Sequence, residues 1–471
     1  MNIVPKALRP NIFKSTKHCL MEGMPKITIV GAGSFFTNEW IRDVLLAPGL
    51  DEGTFALIDI DEDRLNLAHE MAEKVVEETG EGWEVESSTK RRRLLPGSDY
   101  VINTIEVSGV DTVKYDYEIP KEYGVDQCIG DTTGPGGIMK AMRTVPSWLE
   151  ILEDAERLCP DALVLNYTNP MHMMTLAADK ASDMSVIGLC HSVQGTSRDL
   201  ADYLDVPYEE LEWECGGINH MAWFTKLAHD GEDLYPRLKE RARDPEIYER
   251  DPIRFEMMLH FGYFVTESSG HFSEYIPYFR KRDDLIDEYC GEAYRGERGF
   301  YARNWPKWRD AIDEYRKKWV EGEEIGDEFL EKFPMEEIDL AERSNEYGSY
   351  VIEAHSKGKP IVIHGNVPNE GLIDNLPEDG IVEVPVVVDR SGFHPCKFGE
   401  LPEQLAALNR SNMAVHKLAV DSILEEDKEA AIRAFMLDPL TAAVCSPAEI
   451  RNMAEELFEA ESGYVPDYLT G

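Results

Sequence analysis

The chain has 471 residues, 43 % hydrophobic and 29 % charged. These values are close to globular averages, and they exclude a collagen, a simple coiled coil and wholesale disorder. Forty-eight Lys plus Arg stand against 90 Asp plus Glu, a formal charge of -42, which excludes a phosphate-neutralising face for nucleic acid and disfavours an anionic membrane surface. Such an excess reads as a heavily solvated surface suited to high salt, where screening relieves self-repulsion.

The eight cysteines are scattered without close pairs, so they form no disulfide framework. No apolar stretch reaches the roughly 18 residues of a membrane span, and the start lacks a secretory pattern. A cytoplasmic protein is expected. Residues 1–23 carry basic residues without periodicity and are read as an N-terminal extension.

From Met24 the pattern alternates. Lys26 to Val30 is a β-branched run ending in Gly31-Ala-Gly33-Ser34, and a helical stretch follows through Trp40, Ile41, Val44 and Leu45. Thr54 to Asp59 is a buried strand closed by an acid; the next helix puts Leu65, Ala68, Met71, Val75 and Val76 on one stripe. Further short apolar runs lie at Tyr100–Asn103, Ala162–Asn166 and Val186–Cys190, with a long helix from Ile138 to Leu158 between the first two. Alternation of this kind predicts an α/β, Rossmann-type doubly wound parallel sheet over residues 24–195. After Cys190 the texture changes: a helix mixed with short strands to about Arg250, and a charged helical stretch from Ala302 to Gly348 with Trp305, Trp308 and Trp319. Strands at Pro360–His364 and Ile381–Asp389 come next, then helices from Leu401 to Phe458. Residues 196–471 are expected to form an α+β domain that carries substrate and metal.

Two constellations carry chemistry. Glycines at 31 and 33, at a strand end that opens a helix, let a backbone approach a pyrophosphate; Ser34 belongs to the same turn, and Asp59 is placed to bind both ribose hydroxyls. A carboxylate there favours NAD over NADP. The third fingerprint position is Phe36 instead of glycine, a departure from the usual pattern. The second constellation is Cys190-His191 at a strand end with Asn219-His220 beyond Gly216-Gly217. A thiolate and an imidazole on separate loops suit a divalent transition metal with positions open to substrate oxygens, although singly such residues are more often a small hydrophobe and a satisfied polar group.

The strings Gly31-Ala-Gly-Ser34, Asp131-Thr-Thr-Gly-Pro-Gly-Gly137, Asn166-Tyr-Thr-Asn-Pro170, Cys190-His-Ser-Val193 and Ile218-Asn-His220 resemble, in the same order, the motifs of glycoside hydrolase family 4. The stretch Gly365 to Pro377 is similar to a loop of that family, so the resemblance runs from about residue 26 to 390. It implies a fold related to the lactate and malate dehydrogenases and an unusual hydrolysis that uses NAD and Mn2+ in place of two carboxylates. The sugar C3 is oxidised transiently, the C2 proton is removed, the leaving group departs, water adds and the ketone is reduced again. By position, the resemblance implies Cys190 and His220 as metal ligands, Asn169 as a substrate contact and His191 as proton donor to the leaving oxygen. It points to the segment Glu267–Tyr278 for the C2 base, with Tyr275 first and His271 and Glu274 open. Glu106, where phospho-sugar members carry an Arg, argues against a phosphorylated substrate, and the Cys-His pair with Gln194-Gly-Thr196 and Met221-Ala-Trp223 is similar to the α-galactosidase (melibiase) branch. Hydrolysis of terminal α-D-galactosides by a homo-oligomer, dimer or tetramer, is therefore expected. α-Glucosidase or α-hexuronidase activity, or an NAD-dependent hydroxy-acid dehydrogenase, are the alternatives.

Overall fold

A computed structural model describes residues 24–79, 82–323, 325 and 340–471. The extension predicted at 1–23 lies outside them.

Thirteen strands among the described residues join one sheet. Six are parallel: β1 (Lys26–Val30), β2 (Gly53–Ile58), β3 (Trp83–Ser88), β4 (Tyr100–Asn103), β5 (Leu163–Asn166) and β6 (Ser185–Gly188), in the order β3-β2-β1-β4-β5-β6. This is the predicted doubly wound sheet, and alternation along each strand shows why both faces are covered. Ile27, Ile29, Phe55, Leu57, Tyr100 and Ile102 point into one core with Trp40, Leu65 and Val75 from the helices Thr37–Leu45 and Glu62–Thr79. Val30, Ala56, Ile58, Val101 and Val164 point into the other, against Met142 and Trp148 of the helix Gly134–Leu158 and the C-terminal helices Glu403–Glu425 and Pro447–Ala460. Each large apolar side chain buried this way contributes about 1.5–3 kcal/mol.

Beyond β6 the sheet continues antiparallel through β11 (Ile361–Pro368), β12 (Ile381–Asp389), the hairpin β7 (Glu212–Ile218) and β8 (Met221–His229), and β10 (Phe264–Val265). Short strands β9 (Glu232–Asp233) and β13 (Gly392–Pro395) pair with β8 and β12. Two narrow joints make the sheet continuous: Asn366 with Gly188, and Glu383 with Gly217. At the first joint a Cβ on Gly188 would fall 2.6 Å from the Met171 sulfur of the helix Met171–Ala181 and 3.0 Å from the Asn366 Cβ of β11, so glycine suits the close approach of both. The strand order reverses between β1 and β4, which leaves a crevice at their carboxyl ends, the usual ligand position in such sheets. No helix among the described residues is long and apolar enough to cross a membrane.

Candidate functional site

The crevice is lined first by the loop Gly31–Phe36. Gly31 has φ +88°, and a Cβ on it would lie 2.7 Å from the carbonyl of Thr104 in the loop after β4, so glycine is needed on both counts. Gly33 donates its N–H to Asp59 Oδ2 at 2.7 Å, which ties the turn to the acid that follows β2. Asp59 Oδ1 accepts from the Asp61 N–H at 2.9 Å. The sequence-predicted Gly31, Gly33, Ser34 and Asp59 are thus brought together at the mouth of the crevice. Phe36, in the fingerprint's third position, is 40 % exposed and stacks on His191 with ring centroids 5.9 Å apart.

Deeper along the sheet edge, a titratable cluster gathers from four loops. His220 occupies the tight turn between β7 and β8 in a left-handed conformation, φ +61°; Glu267, just after β10, has φ +62°. Left-handed backbone at two non-glycine residues costs energy that the surrounding packing must hold, a condition that concentrates at functional sites. His220 Nε2 lies 3.4 Å from Glu267 Oε2, and His271 Nδ1 lies 3.9 Å from Glu267 Oε1. One donor atom from each of His220, Glu267 and His271 falls within 4.8 Å of the others, the spacing of a metal-ligand set. Cys190 adjoins it: burial works against its thiolate, but the charge of His220 prevails and lowers the thiol to about 7. Burial likewise works against a charged His220, and Glu267 and Cys190 overcome it, raising the imidazole to about 10. Glu267 is held below the usual carboxylate range by His220 and His271 against the effect of burial.

This donor set fits a divalent cation. It combines a soft sulfur, imidazoles and a carboxylate, and His271 Nε2 is buried without a hydrogen-bond partner among the described residues, 3.8 Å from both Asp131 and Glu274. His220 is common to the set predicted from sequence and the one the geometry gathers. Glu267 and His271 join it as candidate ligands that the sequence reading did not assign to metal. Their spacing of four, continued by Tyr275 four further on, is the one signal that could have drawn attention to them.

Tyr275 is fully buried, and its Oη meets His220 Nδ1 at 3.1 Å. Burial, with Glu267 and Asp131 nearby, holds the phenol well above its ordinary value, so it keeps its proton until a cation offsets those carboxylates. Of the two other candidate bases, Glu274 is committed elsewhere. Its Oε1 accepts the N–H groups of Cys128 and Ile129 at 2.5 and 2.6 Å, and its Oε2 that of Gly130 at 3.1 Å. Burial raises its pKa, but three backbone donors make it a tie for the loop before Asp131.

Asn169 Nδ2 donates to Asp131 Oδ2 at 3.5 Å, so the predicted substrate contact faces the cluster's carboxylate wall. Lys140, 6 % exposed in its side chain, bridges Glu106 at 2.9 Å and Asp131 at 3.4 Å. Glu106 is therefore no bare negative charge, and its repulsion of a sugar phosphate is weaker than the sequence alone implies. Glu383, fully buried on β12, adds an acid that sequence reasoning missed. Burial and then Cys190 raise it to about 8, and its Oε2 has no hydrogen-bond partner among the described residues.

His191 departs from its neighbour. It precedes the helix Ser192–Leu204, is half-exposed, and its Nε2 pairs with Glu346. Burial opposes its charge, but Glu346 raises it to about 9. It lines a cavity of about 310 Å³ with Phe35, Glu39, Arg42, Gln194 and Glu346.

The chain matches the model of the family 4 glycosyl hydrolases over residues 26–206 and that of their C-terminal domain over 215–441. It is 41 % identical to an alpha-galactosidase of Bacillus subtilis (strain 168), covering 94 % of this chain and all of that protein, and 36 % identical to an alpha-galactosidase of Rhizobium meliloti (strain 1021), covering 94 % and 89 %. Among solved structures, a 6-phospho-alpha-glucosidase from gut microorganisms in complex with NAD and Mn2+ superposes with TM-score 0.77 at 22 % identity, over 94 % of this chain and 99 % of that one. The 6-phospho-beta glucosidase of Thermotoga maritima, with manganese, NAD+ and glucose-6-phosphate, gives 0.75 at 21 %, over 93 % and 99 %. A shared sheet, a crevice at its switch point and two family models spanning most of the sequence lead to one conclusion: the chain belongs to glycosyl hydrolase family 4 and is a glycoside hydrolase.

Proposed function

We propose that the protein hydrolyses terminal α-D-galactosides with NAD and a divalent metal such as Mn2+. The observation that carries the reading is a thiol, two imidazoles and a carboxylate packed beside a buried tyrosine, in a chain 41 % identical along its length to an alpha-galactosidase. Cys190 and His220 would hold the metal, with Glu267 and His271 completing the donor set; Gly31, Gly33, Ser34 and Asp59 would hold the dinucleotide. When bound, these groups supply a reversible hydride acceptor and a Lewis acid for sugar oxygens. The chain's own part is to move protons. Tyr275, oriented by His220, takes the proton from the sugar carbon beside the oxidised one. His191, kept protonated by Glu346 and facing the cavity, gives a proton to the departing oxygen. Asn169 and the Asp131–Lys140–Glu106 row offer polar atoms to the sugar's remaining hydroxyls.

The test is hydrolysis of p-nitrophenyl α-galactoside by chelator-treated enzyme given NAD and Mn2+ separately and together, with α-glucoside and α-galacturonide in parallel. Both additions are required, the galactoside is preferred and NADH absorbance shows no lasting rise. Stoichiometric NADH would instead favour the hydroxy-acid dehydrogenase, and preference for a phosphorylated sugar would remove the galactoside assignment.

A further inference from the structure

We infer that Arg64, Arg309 and Arg316 form a phosphate clamp for the dinucleotide, two of the three reaching in from the charged helix Phe300–Glu321. The inference rests on the proposed use of NAD.

It starts from the glycine loop itself. In many dinucleotide sites the loop's free N–H groups face the pyrophosphate. Here the first four are already spent: Gly31 and Ala32 N–H on the carbonyl of Ile58 at 2.8 and 2.9 Å, Gly33 N–H on Asp59, and Ser34 N–H on the Gly31 carbonyl at 2.9 Å. Countercharge for a phosphate must come from elsewhere.

The helix Phe300–Glu321 supplies it. Arg309, Asp313 and Arg316 lie four and three residues apart, on one face. Arg316 is fully buried and spans the loop, with Nη1 donating to the Gly33 carbonyl at 2.9 Å and Nη2 to the Ser34 carbonyl at 2.5 Å. From the other side, Arg64 Nη2 donates to the same Gly33 carbonyl at 2.6 Å and lies 3.4 Å from Asp313. Arg309 rests on the loop after β4, where a Cβ on Gly109 would come within 2.8 Å of its Nη1. The helix thus straps both loops that flank the switch point.

What marks the group as a ligand site is a wholly buried guanidinium with a donor left unused. Arg316 forms no ion pair with a carboxylate among the described residues, and its Nε and that of Arg64 are buried without hydrogen-bond partners. Burial and the neighbouring Arg64 lower Arg316 to about 10, and Asp313 and Asp59 only partly offset them. Asp313 and Asp59 stand near the group, but only Arg64 among the three pairs with Asp313, and Arg316 is the one wholly buried. A strut between helix and loop would need one arginine with its nitrogens satisfied. Arg316 and Arg64, each with an unused Nε donor, and Arg309 beside them match phosphate oxygens, for which the planar fork is suited.

The test is calorimetric titration of the whole protein with NAD, NADP and adenosine, comparing the parent with Arg316→Gln and Arg316→Lys. Charge-assisted contacts of this kind predict that Arg316→Gln weakens NAD about 10- to 100-fold and adenosine, which lacks phosphate, less than about 3-fold, with Arg316→Lys in between. A larger loss for NADP than for NAD places the contact on the 2′-phosphate; equal losses place it on the pyrophosphate. Unchanged NAD affinity, or equal losses for NAD and adenosine, would overturn the clamp. If Arg316→Gln does not fold, Arg309→Gln carries the same expectations. A parent that binds no NAD removes the cofactor reading and the clamp together, whereas normal parental binding with an indifferent variant removes the clamp alone.

Discussion

Tyr275→Phe deletes a single oxygen from the centre of the proposed machinery. The ring stays where it is, fully buried beside Phe272 and Trp223 in the same core, so no cavity forms. The loss is one hydrogen bond, Oη to His220 Nδ1 at 3.1 Å. A bond of this type contributes about 0.5–1.5 kcal/mol, a drop in Tm of only a few degrees for a chain this long. His220 keeps Glu267 on its other nitrogen, so the donor set for metal survives. Catalysis is hit far harder. Losing a positioned base lowers kcat by about 10²- to 10⁴-fold, or roughly 3–5.5 kcal/mol of barrier. The assay pairs kcat on p-nitrophenyl α-galactoside at saturating NAD and Mn2+ with a Mn2+ titration and a thermal melt. A variant within about 3-fold of parental kcat would show that the hydroxyl moves no proton. Parallel loss of Mn2+ affinity and activity would reassign Tyr275 to holding the metal site.

Cys190→Ser replaces a thiolate donor by a poor neutral one, so Mn2+ affinity and turnover collapse while NAD titrates normally; full activity in chelator-treated buffer would remove Cys190 from the ligands. His191→Ala slows melibiose by about 10²- to 10⁴-fold and activated aryl galactosides much less, since only poor leaving groups need the proton; equal losses on both would assign His191 to the metal. Beside the Asp131–Lys140–Glu106 row, Glu461 and Asp116 share Arg143, at 3.0 and 2.7 Å. Burial and then Asp116 raise the Glu461 carboxyl well above the usual carboxylate range. A carboxyl whose folded pKa exceeds its unfolded value of roughly 4.3 binds its proton more tightly when native, so stability falls as pH rises between the two, by at most about 1.4 kcal/mol per unit. Glu461→Gln removes that dependence, so thermal melts from pH 5 to 9 diverge increasingly in the variant's favour; parallel curves would contradict a raised Glu461 carboxyl.

The parallel half of the fold was legible because its strands are β-branched runs that each feed a helix with a clear apolar stripe. Trp83–Ser88 escaped notice as β3 because an edge strand rich in Glu and Ser lacks that signature. Continuity of the sheet into the antiparallel strands could not be read, since it hangs on two single residue pairings far apart in sequence. Within the site, the strand-end signals at Gly31, Asp59 and Cys190 were visible locally. Glu267 and His271 were not singled out as ligands, because they meet His220 only through tertiary packing and the helix carrying His271 is a single turn, Ser269–Phe272. Arg316 was hidden differently: it sits in a stretch legible only as charged and helical, and only the structure shows its guanidinium buried on the glycine loop.

The central claim is that the glycosidic bond breaks after a proton leaves the neighbouring sugar carbon, with Tyr275 as the base. Hydrolysis of an α-galactoside in D2O, with NAD and Mn2+ present and the released galactose analysed by NMR, tests this most directly. Deuterium at C2 of the product is the predicted result, and it disappears with activity in Tyr275→Phe. Galactose released at the full rate with its C2 hydrogen retained would contradict the account, because direct displacement at the anomeric carbon leaves that hydrogen in place.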